Sequence, residues 1–145
     1  MVSTDGGAPT QIAEIFASTA YGIDVSPDGQ SIVFNSRDEQ DRSRSTFVVC
    51  ELPSCTSRRN VAVSSALLPV RWSPDGRGIA YIDRVAPSNL RVQPLDGRPP
   101  SQLTHFTDGR TIVDFSWSRD GKRLAIARAT TTNDIVLFKG LSRKP

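Results

Sequence analysis

One phrase occurs three times in the chain: Val25-Ser26-Pro27-Asp28-Gly29-Gln30-Ser31-Ile32-Val33-Phe34, Trp72-Ser73-Pro74-Asp75-Gly76-Arg77-Gly78-Ile79-Ala80-Tyr81, and Trp117-Ser118-Arg119-Asp120-Gly121-Lys122-Arg123-Leu124-Ala125-Ile126. Its aspartates stand at 28, 75 and 120, so the repeat is 47 and then 45 residues long. Helical repeats are usually shorter, whereas a unit of about four strands needs this length. The phrase itself is a turn: Pro27 or Pro74 sits at the second position, where its fixed φ fits, and Gly29, Gly76 or Gly121 sits where positive φ is wanted. The third copy has Arg119 in place of proline, from which Asp-Gly is expected to carry the turn and proline only to rigidify it. Six of the ten glycines follow an aspartate (Gly6, Gly29, Gly76, Gly97, Gly109 and Gly121), a density typical of chains built from strands and hairpins.

After each turn the residues are apolar and β-forming: Ile32-Val33-Phe34, Ile79-Ala80-Tyr81-Ile82 and Leu124-Ala125-Ile126-Ala127. These read as central strands covered on both faces. A third strand follows a polar connector at Thr46–Cys50, Leu90–Leu95 and Ile135–Phe138, and a more polar fourth strand runs over Ser101–Phe106. Arg91, Gln93 and Ser101 mark outer positions with one face in water. Thr10–Phe16 has Ile12, Ile15 and Phe16 at helical spacing, yet its place in the repeat makes it a strand. The expected fold is all-β, with about three β-propeller blades of four antiparallel strands. The units are a flexible tail over 1–9, repeats over 10–56, 57–103 and 104–140, and a basic tail over 141–145. Propellers close with about four to eight blades, so three should not close alone. The chain is then expected to be part of a six- or seven-bladed ring, or half of one completed by a second copy.

A chain of 145 residues holds one domain-sized core, with hydrophobic residues at 37% to build it and charged residues at 23%. Eighteen Lys and Arg against 15 Asp and Glu leave +3, too evenly mixed for a polyanion-binding face, so no nucleic acid partner is expected. No apolar run reaches the roughly 18 residues of a membrane helix, and no membrane partner is expected. The first residues carry no signal-like segment, which suggests the cytoplasm for the chain as it stands. Cys50 and Cys55 are separated by Glu51-Leu52-Pro53-Ser54; free thiols are the leading expectation, a local disulfide the next and a metal site the least favoured.

The phrase Trp-Ser-Pro-Asp-Gly-x-x-Ile-Ala-Tyr at 72–81, followed by Pro94-Leu95-Asp96-Gly97 and Gln102-Leu103-Thr104, closely resembles the TolB-type, WD40-like β-propeller repeat. The resemblance covers about 10–140. It departs from the pattern at Val25, where Trp is usual, at Arg119, and after Phe138-Lys139-Gly140, where the last blade stops short of a fourth strand. It implies a propeller surface that binds proteins or peptides, as a scaffold or sensor part of a larger bacterial protein, periplasmic if that protein is TolB-like. Propellers of prolyl-oligopeptidase-type serine peptidases, such as dipeptidyl peptidase IV, share the repeat, and the alternative is the gating portion of such a peptidase.

Asp28, Asp75 and Asp120 lack the neighbouring oxygen donors that calcium needs and read as turn caps beside Gly29, Gly76 and Gly121. Trp72 and Trp117 occupy equivalent positions before the turn and read as core. The insertion 35–45 carries Arg37, Asp38, Glu39, Asp41, Arg42 and Arg44 and is the candidate binding loop on an otherwise rigid scaffold. Arg58, Arg59 and the tail cations Lys139, Arg143 and Lys144 are too few for an electrostatic footprint. With no Gly-x-Ser-x-Gly elbow and a single histidine, His105, no catalytic residue, metal or cofactor is expected.

Overall fold

A computed structural model describes residues 5–12, 22–37, 45–63, 66–83, 85–130 and 132. Among these residues ten strands run in chain order: β1 Ile23–Val25, β2 Ser31–Arg37, β3 Ser45–Glu51, β4 Arg58–Val63, β5 Ala66–Trp72, β6 Gly78–Asp83, β7 Asn89–Pro94, β8 Ser101–Gln102, β9 Thr111–Trp117 and β10 Leu124–Ala129. They form two four-stranded sheets in sequential order, β1-β2-β3-β4 and β5-β6-β7-β8, and a pair β9-β10, all antiparallel. Each repeat phrase is the β-hairpin joining the first two strands of its sheet. The sheets end at Val63 and Gln102, and β4 pairs with β3 of its own sheet from Ser45↔Val63 to Cys50↔Arg58. The expected strand Ile135–Phe138 and the basic tail lie outside the described residues.

The sheets stack face to face and the core lies in layers between them. Val33, Phe47, Val61 and Val63 of the first sheet meet Val70, Trp72, Ile79 and Tyr81 of the second. Phe47 and Tyr81 meet edge to face, with centroids 5.4 Å apart. Ala80, Ile82 and Leu90 of the second sheet meet Ile112 and Phe115 of β9. Successive side chains of a strand point to opposite faces, so β6, clamped between two sheets, is buried at all six positions. The same coverage expected for β10 does not occur: it alternates between half-buried and exposed residues, since among the described residues only one of its faces has a neighbour.

Several sequence expectations change on contact with the fold. Cys50 and Cys55 form a disulfide, where free thiols were favoured. The backbone bonds Leu52 N–H to Gln30 O and Cys55 N–H to Glu51 O, both 2.8 Å, curl the connector until the two Cα atoms stand 4.9 Å apart. Both sulfurs are buried with Ile32, Phe34 and Val48, and closing so short a loop contributes about 2 kcal/mol in the chain-entropy account. Thr10–Ile12 is not a strand; Ile12 packs on that same cluster, and residues 13–16 lie outside the description. Gln93, read as outward, is 8% exposed, because its Nε2 donates to the carbonyls of Pro94 (3.1 Å) and Arg98 (2.9 Å). The fourth strand of the second sheet is only Ser101–Gln102. Beyond it the Asn89 side chain replaces the ladder, its Oδ1 accepting from Thr104 Oγ1 (2.9 Å) and Phe106 N–H (2.7 Å). The connector that follows is held to β10 by Arg128, which pairs with Asp108 and stacks 3.7 Å over the Phe106 ring.

Candidate functional site

Each phrase builds the same corner. Gly29, Gly76 and Gly121 N–H groups donate to the carbonyls of Ser26, Ser73 and Ser118 at 2.8, 2.9 and 2.8 Å. The glycines have φ of 72°, 69° and 68°, which L side chains rarely adopt. Ser26, Ser73 and Ser118 Oγ donate to Asp28, Asp75 and Asp120 Oδ1 at 2.6, 2.6 and 2.5 Å. The same Oδ1 atoms accept the N–H of Gln30, Arg77 and Lys122, at 3.0, 3.0 and 3.1 Å. These serine hydroxyls, and then those backbone N–H groups, hold all three carboxyls below the ordinary aspartate range. Asp28, Asp75 and Asp120 are thus structural anions inside their own turns, and among the described residues no cluster of acids, histidines or cysteines could hold a metal ion.

The three corners touch in sequence. A Cβ added at Gly76 would lie 3.8 Å from Pro27 Cδ, and one at Gly121 would lie 2.5 Å from Pro74 Cβ. The proline of one turn is therefore also the surface on which the next turn's glycine rests, more than the rigidifying role read from sequence. Behind the turns the first strands of the three sheets lie side by side, β1 against β5 and β5 against β9. Two polar contacts link them: Asp24 Oδ2 accepts the Trp72 N–H at 2.7 Å, and Arg71 Nη2 pairs with Asp114 Oδ1 at 3.5 Å. Sequence reading missed Asp24, Arg71 and Asp114; their only signal was a charge inside an otherwise apolar strand.

Turns and inner strands together enclose an open cleft of 360 Å³. Pro27, Pro74, Trp72 and Trp117 give it apolar walls, and Asp24, Arg71, Arg119 and Asp120 give it charge of both signs. Trp72 is 5% exposed and Trp117 half-buried, and the indole N–H of each is buried without an acceptor among the described residues. The candidate loop residues fall elsewhere: Asp38, Glu39, Asp41, Arg42 and Arg44 lie outside the described residues, and Arg37 is described only as the last residue of β2. Arg58 and Arg59 are exposed on β4, Arg59 donating to the Leu95 carbonyl of the second sheet. His105 is exposed on the connector between β8 and β9.

Sheets of four antiparallel strands, stacked by their faces with their first strands side by side around a cleft, define a β-propeller, with two complete blades and two strands of a third among the described residues. More particularly the fold is that of a TolB-like propeller. The structure of TolB from Acinetobacter baumannii superposes with a TM-score of 0.59 at 19% identity, over 73% of this chain and 26% of that one. The β-propeller domain of the Trilobed protease from Pyrococcus furiosus gives 0.48 at 23% identity, over 74% of this chain and 34% of that one. An acylaminoacyl peptidase from Pyrococcus horikoshii gives 0.48 at 21%, over 74% and 16%. The chain thus spans about a quarter of the TolB chain it matches. No protein-family model matches the sequence, and no curated protein matches it.

Proposed function

We propose that this propeller segment is a non-catalytic binding module that takes an extended protein or peptide segment in the cleft between its inner strands. The observation that carries this reading is the open cleft itself, whose apolar walls of Pro27, Pro74, Trp72 and Trp117 stand beside charges of both signs. The proline and indole walls offer an extended peptide apolar surface. Arg71 and Arg119 add cations for an acidic side chain.

Trp72 and Trp117 are the chain's two tryptophans, so the site carries its own fluorescent reporter. Peptides selected on an array should shift tryptophan emission saturably, and Trp117→Phe, which trims the indole wall of the cleft, should weaken that binding about tenfold. Selected peptides that bind with unchanged emission, or equally to the Phe variant, would place binding elsewhere. Hydrolysis of a chromogenic peptide that disappears in His105→Ala would overturn the non-catalytic reading.

A further inference from the structure

We propose that the two ends of this arc of blades are complementary, and that a second copy of the chain docks head to tail, the third turn of one copy on the first turn of the other. Within the chain every blade meets the next in the same way. A turn residue lies on the next turn's glycine (Pro27 on Gly76, Pro74 on Gly121), and a charged inner-strand residue reaches the next inner strand (Asp24 to Trp72, Arg71 to Asp114). Apolar positions of the two sheets interleave between these contacts. At each end of the arc half of this pattern is left without its counterpart among the described residues.

At the near end, a Cβ at Gly29 would meet nothing within 4 Å, although the equivalent Gly76 and Gly121 each rest on a proline. Ile23 and Val25 are 60% and 51% exposed, whereas their equivalents one blade on, Val70 and Trp72, are 0% and 5% exposed against the preceding sheet. At the far end, Arg119 stands exposed where Pro27 and Pro74 carry the next glycine. Ala125 and Ala127 are exposed where Ala80 and Ile82 are buried, and Val113 is 51% exposed on the strand beside them.

Charge selects a second copy as the occupant. The third turn exposes Arg119, Lys122 and Arg123 around the single acid Asp120, and among the described residues none of these cations is in an ion pair. The first turn has no cation; it exposes Asp28 and, across an open cleft of 490 Å³, Glu51. Proline at 119 would offer the partner's Gly29 only a ring, whereas arginine there also reaches Asp28 and Glu51. On the free face of the first sheet Ile32 and Phe34 of β2 and Val48 and Cys50 of β3 are already buried with Ile12, Leu52 and the disulfide, so docking is confined to the turn and β1. Such a contact is heterologous, and made at both ends by two copies it closes as a ring and not as an open filament.

Light scattering after size-exclusion chromatography of the intact chain tests this. The expected mass is twice 15.8 kDa at low salt, falling toward one copy as salt screens the charges. Arg119→Glu should weaken the dimer by about tenfold or more, and Glu51→Arg likewise. The double variant Arg119→Glu with Glu51→Arg should recover the dimer, which separates charge complementarity from damage to the fold; circular dichroism of each variant checks folding directly. A mass of 15.8 kDa at every concentration and salt would overturn the proposal and leave the ends to a different chain. A dimer indifferent to both charge reversals would overturn it as well, as would a mass that climbs past two copies with concentration. The outcome is independent of peptide binding, which tryptophan emission reports separately.

Discussion

The second and third blades carry the same phrase in nearly the same words, yet their central strands live in different surroundings. In β6 all six residues are buried, Ile79 and Tyr81 against the first sheet and Ala80 and Ile82 against β9. In β10 Leu124 and Ile126 pack toward the second sheet while Ala125 and Ala127 remain exposed. The difference does not come from the strands themselves, since both are apolar runs after an Asp-Gly turn. A propeller strand is buried by the sheets on either side of its own, so its place in the arc decides what its sequence is worth energetically.

The sharpest way to break that comparison is to truncate equivalent core positions. Ile79→Ala should lose about 2–5 kcal/mol, with a cavity left between two sheets, while Leu124→Ala, half-buried against one sheet, should lose about half as much. Urea unfolding with an unchanged slope measures both, and equal losses would mean that the third blade is as enclosed as the second.

A smaller contrast lies in the turns. Ser73 Oγ accepts the buried Gly78 N–H at 2.9 Å, and Ser73→Ala, which leaves that donor unmatched, should cost about 1–3 kcal/mol. Ser118 Oγ makes the same bond to Arg123 N–H at 2.9 Å in an exposed corner where water can replace it, so Ser118→Ala should cost about 0.5 kcal/mol. Thermal melts of the two variants set the ratio.

The smallest effect is the response to acid. The carboxyls of Asp28, Asp75 and Asp120 titrate lower in the fold than free in the chain, because serine hydroxyls and then backbone N–H groups favour their charged form. Groups depressed in this way contribute stability above the unfolded aspartate value of about 3.9, and that contribution is lost as pH falls through the folded values. The melting temperature should therefore be level from neutral pH to about 5 and fall below about 4. Asp75→Asn should flatten that fall more than Asp120→Asn, since Asp75 belongs to the more enclosed corner.

Much of the fold was legible because the turn phrase states its own geometry. Ser, Asp and Gly at fixed offsets close the same hydrogen bonds in all three copies, and no distant residue takes part in them. The strands after the turns were legible for the same reason: their apolar runs need a sheet. The candidate site was much less so. Its residues were named for local roles, Trp72 as core and Pro27 as a stiffener, and their joint lining of a cleft depends on three segments about 45 residues apart meeting side by side. The disulfide was ambiguous because a spacing of five residues suits a bridge and a pair of free thiols equally. The curl of the connector onto Gln30 settled it. Gln93 was misplaced because alternation along β7 says which face a side chain takes, not whether a carbonyl such as that of Arg98 waits there.

The repeat, its period, the hairpin corners and the all-β class are written locally in the chain, since they depend on bonds within a few residues and on the two-residue alternation of strands. Which faces are covered, which inner-strand charges meet, and that the turn prolines serve as seats for the next turn's glycine are set by the packing of sheet on sheet. Those properties arise between sheets, where contact depends on the angle and offset at which one blade is laid against the next, and no local pattern encodes that angle.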